Sequence, residues 1–189
     1  VLGYDLMNEP FPGDLGKAID GSVQKDWLPK FYERLIPAMR TVEQNKYLFF
    51  EPQSFGINFG FPAALPKVED TRAGDPRLVY APHLYPLFLH EGVAYNDIDR
   101  QQMRDWAKNR STELDLHETP LAVGEIGGSD STPGFGQFID DAMGMLDQMG
   151  GSWAWWANDP GAWGLVDGQG NEMPKTKRLV RTYPRAIAG

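Results

Sequence analysis

Cysteine is absent from this 189-residue chain, which removes disulfides, thiol nucleophiles and thiolate metal sites from consideration and leaves the compartment open. Basic charge is scarce: 18 Lys and Arg stand against 26 Asp and Glu, for a formal net charge of -8. No Lys/Arg cluster offers a footprint for a phosphate backbone, so nucleic acid is not an expected partner. No apolar run is long enough to span a bilayer, and no signal peptide is visible. The three histidines, His83, His90 and His117, lack zinc-site spacing. Residues 167–171 read as a turn without the ligand pattern of a calcium loop, and there is no Gly-x-Ser-x-Gly elbow. Neither a metal nor a cofactor is expected.

What is present suffices for one core: hydrophobic residues make up 41%, with no second domain, internal repeat or low-complexity segment in sight. Tryptophan is abundant at six, and its ring suits both a core and the apolar face of a sugar. Short apolar runs recur at the start ("YDLMNE"), at 46–51 ("KYLFFE"), 78–83 ("LVYAPH"), 121–125 ("LAVGE") and 152–157 ("SWAWWA"). After the first of them, Trp27, Phe31, Leu35, Ile36 and Met39 recur every three or four residues. That spacing predicts an amphipathic helix over 22–43 capped by Ser22. Further helices are expected over 96–116, 134–149 and 174–182, the last opened by Pro174 and lined by Leu179 and Val180.

Strands alternating with helices signal a parallel α/β architecture, either an open doubly wound sheet or a closed TIM (β/α)8 barrel. The open form usually carries a Gly-rich phosphate turn after its first strand, and none is present. In a barrel, reactive side chains gather at the carboxyl ends of the strands, which is where Glu9, Glu51, His83 and Glu125 fall. A whole barrel takes about 250 residues. Five strands and an opening in mid-strand therefore predict strands 4 to 8, with 1–189 as the C-terminal portion of a catalytic barrel and an N-terminal part preceding it.

Glu9 and Glu125 each follow an apolar strand and precede a loop. Pro10 restricts the residue before it to extended geometry, which would keep Glu9 at the strand tip. Two glutamates about 5 Å apart at one barrel end are what a retaining glycoside hydrolase uses, one as nucleophile and one as acid and then base. Mutual repulsion would leave one of them protonated and able to donate. The plainer alternative is that each glutamate pairs with an arginine at a loop.

The segments "LMNEP" at 6–10, "PHLY" at 82–85, "VGEIG" at 123–127 and "WAWWAND" at 153–159 occur in the order seen in glycoside hydrolase family 5, which the chain resembles over nearly all its length. Within that family, "NEPFPG" at 8–13, "FFEPQ" at 49–53 and "RTYPRAIAG" at 181–189 look most like the endoglycoceramidase-related branch. The resemblance implies Glu9 as acid/base, Glu125 as nucleophile and Asn8 as the amide that meets the sugar 2-hydroxyl. It implies His83 and Tyr85 as the pair after strand six, of which the hydroxyl or the imidazole is expected to hold the nucleophile's orientation and ionisation, and Trp156 as the floor beneath the sugar. Asn8 and Glu9 have opposite parity and serve one site only if the strand end twists or bulges. Trp153 and Trp155 oppose Trp156 in parity, so at least one side of this strand is expected to be ordinary packing, and a register change of one position would swap the two sides. Glu51 either lines the site or pairs within a loop.

The loops at 56–66 and 84–92 are apolar for a barrel mouth, and exposed Phe61, Leu87, Phe88 and Leu89 would suit a ceramide tail or contact with a membrane surface. The expected function is thus cofactor-free, retaining hydrolysis of the bond between glycan and ceramide in glycosphingolipids, by a secreted enzyme. An endo-β-glucanase or mannanase acting on soluble polysaccharide, and a carbohydrate- or lipid-binding remnant without turnover, are the alternatives.

Overall fold

The computed structural model describes residues 1–11 and 13–180. The "RTYPRAIAG" segment used for the branch resemblance, and the end of the helix expected over 174–182, lie outside them. Five parallel strands run β1 (Gly3–Asp5), β2 (Tyr47–Phe50), β3 (Leu78–Tyr80), β4 (Ala122–Gly127) and β5 (Ser152–Trp156). β1, β2 and β3 pair side by side, as do β4 and β5. Parallel bridges from Tyr80 to Leu121 and from Leu84 to Ile126 join β3 to β4. The strands therefore form one arc in chain order, as expected of consecutive barrel strands. β1, β2 and β3 are shorter than the apolar runs that encode them, because the last residues of those runs leave the ladder to build the site.

Helices cover one face of the arc. α1 (Leu15–Asp20) is a short helix capped by the Asp14 carboxylate. A π-helical turn at Val23–Trp27 runs into α2 (Leu28–Arg40), so the helix expected over 22–43 is present in two parts. Ser22 makes no capping hydrogen bond, contrary to expectation, since its backbone is already helical. α2 lays Leu28, Tyr32 and Ile36 on Leu48, Phe50, Leu78 and Tyr80. α3 (Leu87–His90) is a single turn. α4 (Asp97–His117) opens with a reciprocal Asn96–Asp99 capping box, and α5 is Phe135–Met149. Together they pack Met103, Trp106, Phe138, Ile139 and Met143 against Val123 and Ile126. α6 (Thr176–Leu179) is shorter than expected and buries Leu179, whereas Val180 is exposed. Among the described residues no helix is long and apolar enough to cross a membrane.

Candidate active site

The opening strand leaves the ladder before it reaches Glu9. Glu9 is not extended as its proline neighbour predicted; its φ is 43°, in the left-handed region. A residue with a side chain pays about 1–2 kcal/mol there. The turn is tied on both sides: the Glu9 N–H donates to Glu51 Oε2 at 3.1 Å, and the Ser54 N–H donates to the Pro10 carbonyl at 3.1 Å. This turn, and no strand bulge, brings both Asn8 and Glu9 to the wall of one cleft.

A bulge does occur on the other side of the site. β4 slips register against β5 between Val123 and Ile126, and both of those residues face the core. One extra residue between them interrupts the alternation and leaves Gly124 and Glu125 facing the cleft side. Tyr85, beyond β3, donates its hydroxyl to Glu125 Oε2 at 2.9 Å.

His83 lies between the carboxylates. Its Nδ1 is 2.8 Å from Glu9 Oε1 and 3.5 Å from Glu125 Oε2, and its Nε2 is 3.2 Å from Glu51 Oε1. The last is an ion-pair approach only, since Glu51 Oε1 has no hydrogen bond of good geometry. The backbone of His83 is anchored by α4, where the Trp106 indole N–H donates to the His83 carbonyl at 2.9 Å. Burial disfavours a charged ring, but the contacts with Glu51 and Glu9 and the charge of Glu125 outweigh it and push His83 up to about 10. The ring is an imidazolium at neutral pH. Burial pushes Glu51 up to about 7, with His83 working against the rise. Glu9 is held below the usual glutamate range, chiefly by its hydrogen bond with His83. Repulsion from Glu125 therefore does not leave Glu9 protonated in the free site, because a cation sits between the two.

Asn58 was not foreseen. It belongs to the 3-10 turn Ile57–Phe59 beyond β2 and donates Nδ2–H to Glu9 Oε1 at 2.8 Å. With Asn58 and His83 both on Oε1, Glu9 keeps Oε2 for the cleft. Glu51, left open between two roles, has its carboxylate on the Glu9–His83 pair.

The cleft has a volume of about 520 Å³. Trp156 lines it and is 52% exposed, so its ring is free to meet a ligand, whereas Trp153 and Trp155 pack on the core, which makes theirs the packing side of β5. Trp163 and His90 stack near Tyr85 at 6.1 and 5.2 Å. Phe55, Phe59 and Leu87 form an apolar wall. Of the loop residues expected at the surface, Phe61, Leu87 and Phe88 are exposed, but Leu89 is buried in the α4–α5 core. One ligand atom each of Glu9, His83 and Glu125 lie within 4.8 Å of one another. That is close enough to hold a cation, but His83 Nδ1 and Glu9 Oε1 are already spent on each other. The set therefore reads as an ion-paired cluster.

Parallel strands that bring carboxylates together at their carboxyl ends have the layout of a (β/α)8 barrel. Residues 1–162 match the family model described as Cellulase (glycosyl hydrolase family 5). The chain belongs to that family, and its fold is part of a (β/α)8 barrel. An endoglycoceramidase of Cyanea nozakii is 28% identical over 209 residues, covering 100% of this chain and 38% of that protein. Endo-glycoceramidase II from Rhodococcus sp., solved with a cellobiose-like isofagomine, is 34% identical with a TM-score of 0.91, covering 100% of this chain and 42% of that one. A hyperthermophilic endo-β-1,4-glucanase solved with substrate shares the fold at a TM-score of 0.71 but only 16% identity, covering 93% of this chain and 58% of that one. The chain thus spans about two-fifths of the length of the endoglycoceramidases it matches.

Proposed function

We propose that this chain carries the catalytic pair of a retaining β-glycosidase that cleaves glycosphingolipids between glycan and ceramide. The observation that carries the reading is the approach of the Glu9 and Glu125 carboxylates to within 4.8 Å. One oxygen of each carboxylate lies within that distance, an approach that suits the roughly 5–5.5 Å between the carboxyl groups of retaining enzymes better than the wider spacing of inverting ones. The Tyr85 hydroxyl occupies Glu125 Oε2, which leaves Oε1 to attack the anomeric carbon. Glu9 Oε2 protonates the departing oxygen and then takes a proton from the water that releases the sugar. Glu9 is ionised in the free site, the form needed for the second step. Substrate that expels water makes two neighbouring carboxylates harder to keep charged, which favours the protonated Glu9 needed for the first.

Ceramide as the leaving group is supported by two features. The same Rhodococcus enzyme has been solved with ganglioside GM3 and as a lactosyl-enzyme intermediate. In this chain a second hollow of about 380 Å³, lined by Met7, Phe11, Trp27 and Phe31, shares Phe11 with the cleft. Secretion and contact with a lipid surface through the apolar loops belong to the same proposal. In the full protein, Glu125→Gln is expected to abolish labelling by a fluorosugar that traps the glycosyl-enzyme. Labelling at the wild-type rate removes Glu125 as nucleophile. Turnover of a ganglioside should exceed that of cello- and manno-oligosaccharides, and equal or better activity on the soluble glycans defeats the ceramide reading.

A further inference from the structure

Resting on the reading of Glu9 as the acid/base, we propose that Glu51 is a positioning residue: it holds the Glu9 backbone and, through His83, governs how Glu9 gives up and regains its proton. A carboxylate that is only 1% exposed is costly to bury unless it is paired or used. Among the described residues no lysine or arginine pairs with Glu51; its one ion-pair partner is His83. Its other oxygen accepts the Glu9 N–H and so braces the left-handed turn. Glu51 is itself immobilised from α2, because the Tyr32 hydroxyl donates to its carbonyl at 2.7 Å and accepts its N–H at 3.1 Å. The result is a line of three groups, Glu51, His83 and Glu9, with the imidazole hydrogen-bonded at Nδ1 and ion-paired at Nε2.

The line has a direct chemical use. When the Glu9 Oε2–H bond breaks and the proton goes to the departing alcohol, negative charge appears on a carboxylate whose other oxygen is 2.8 Å from His83 Nδ1. Glu51 on the far side keeps that ring protonated. When water attacks the glycosyl-enzyme, its O–H bond breaks and the proton returns to Glu9, restoring the first state. Other groups that face the line are Asp5 from β1, Tyr85 and Glu125 beside the ring, and His90 from α3, whose charge acts on Glu9. None of them bridges the ring to the Glu9 backbone as Glu51 does.

The test is Glu51→Gln in the full protein, with Glu51→Asp as the variant that keeps the charge. Nitrogen-15 NMR of the imidazoles should show the His83 midpoint falling by at least about one unit in Glu51→Gln while His117 stays put, and recovering in Glu51→Asp. Hydrolysis of an alkyl glycoside, whose leaving group needs protonation, should fall at least about tenfold more than that of a dinitrophenyl glycoside, whose leaving group does not. An unmoved His83 midpoint, or equal loss on both glycosides, overturns the proposal. Glu9→Gln on the same two glycosides tests the underlying reading separately: if it shows no leaving-group dependence, Glu9 is not the acid, whereas the His83 midpoint still decides whether Glu51 controls the ring.

Discussion

Two buried histidines sit at opposite ends of the arc and meet opposite fates. His83, beyond β3, has three carboxylates within 3.5 Å of its nitrogens. His117 ends α4 just before β4, against the adjoining rings of Phe50 and Tyr80 at 5.0 and 5.2 Å. Its Nδ1 accepts the Val68 N–H at 3.3 Å, and its Nε2 has no partner. Burial, with the Lys67 charge adding to it, pushes His117 down to about 4, so it stays neutral. Burial opposes charge on both rings; carboxylates override it at His83, while the Lys67 charge reinforces it at His117. The amino end of the barrel uses imidazole as a flat packing piece, whereas the carboxyl end uses it as a resident cation.

The comparison breaks most visibly at His83. His83→Asn leaves Glu9 and Glu51 without their cation and should cost about 3–5 kcal/mol of stability at neutral pH, the usual penalty for orphaning a buried charge; urea denaturation that shows less than 1 kcal/mol would place the cluster in a wetter site. In the wild type the folded value of His83 lies above its unfolded one. Its stabilisation is therefore complete below about pH 6.5 and is lost as pH rises through about 10.

His117 runs the other way. Its folded value is depressed, so its contribution is present above about pH 6.5 and is lost as pH falls through about 4. His117→Phe should remove roughly 3 kcal/mol of acid sensitivity between those limits, measured as the difference between the two denaturation series. Parallel curves for variant and wild type would mean that His117 is charged in the fold. The smallest expected effect sharpens the chemical side. Tyr85→Phe, which removes the donor to Glu125, should lower kcat of the full protein by about tenfold, equivalent to about 1.4 kcal/mol, while thermal stability moves little.

Much of the site was legible because its residues sit where strand periodicity ends. Glu9, His83, Tyr85, Glu125 and Trp156 were found by motif and by position, and all five meet at one cleft. Parity divided the tryptophans into two sides, and the fold supplies the choice it left open, with Trp156 on the cleft and Trp153 and Trp155 on the core. Parity could not locate the irregular segments. The proline rule failed at Glu9 because a distant carboxylate, Glu51, rewards the left-handed turn, and no local propensity encodes a partner 42 residues away. Asn58 was invisible for a related reason: it lies in a loop turn with no period, and only the folded chain shows that its amide reaches Glu9.

Gly124 extends this lesson to a residue with no functional group. A Cβ there would come within 2.9 Å of His83 Nε2 and 3.2 Å of the Ala81 carbonyl, so the imidazole occupies the space that a side chain would fill. A saturation library at 124 selected for turnover should return glycine alone, although the residue offers substrate nothing to bind. Alanine would displace the ring from its carboxylates, and the whole electrostatic arrangement would shift with one methyl group.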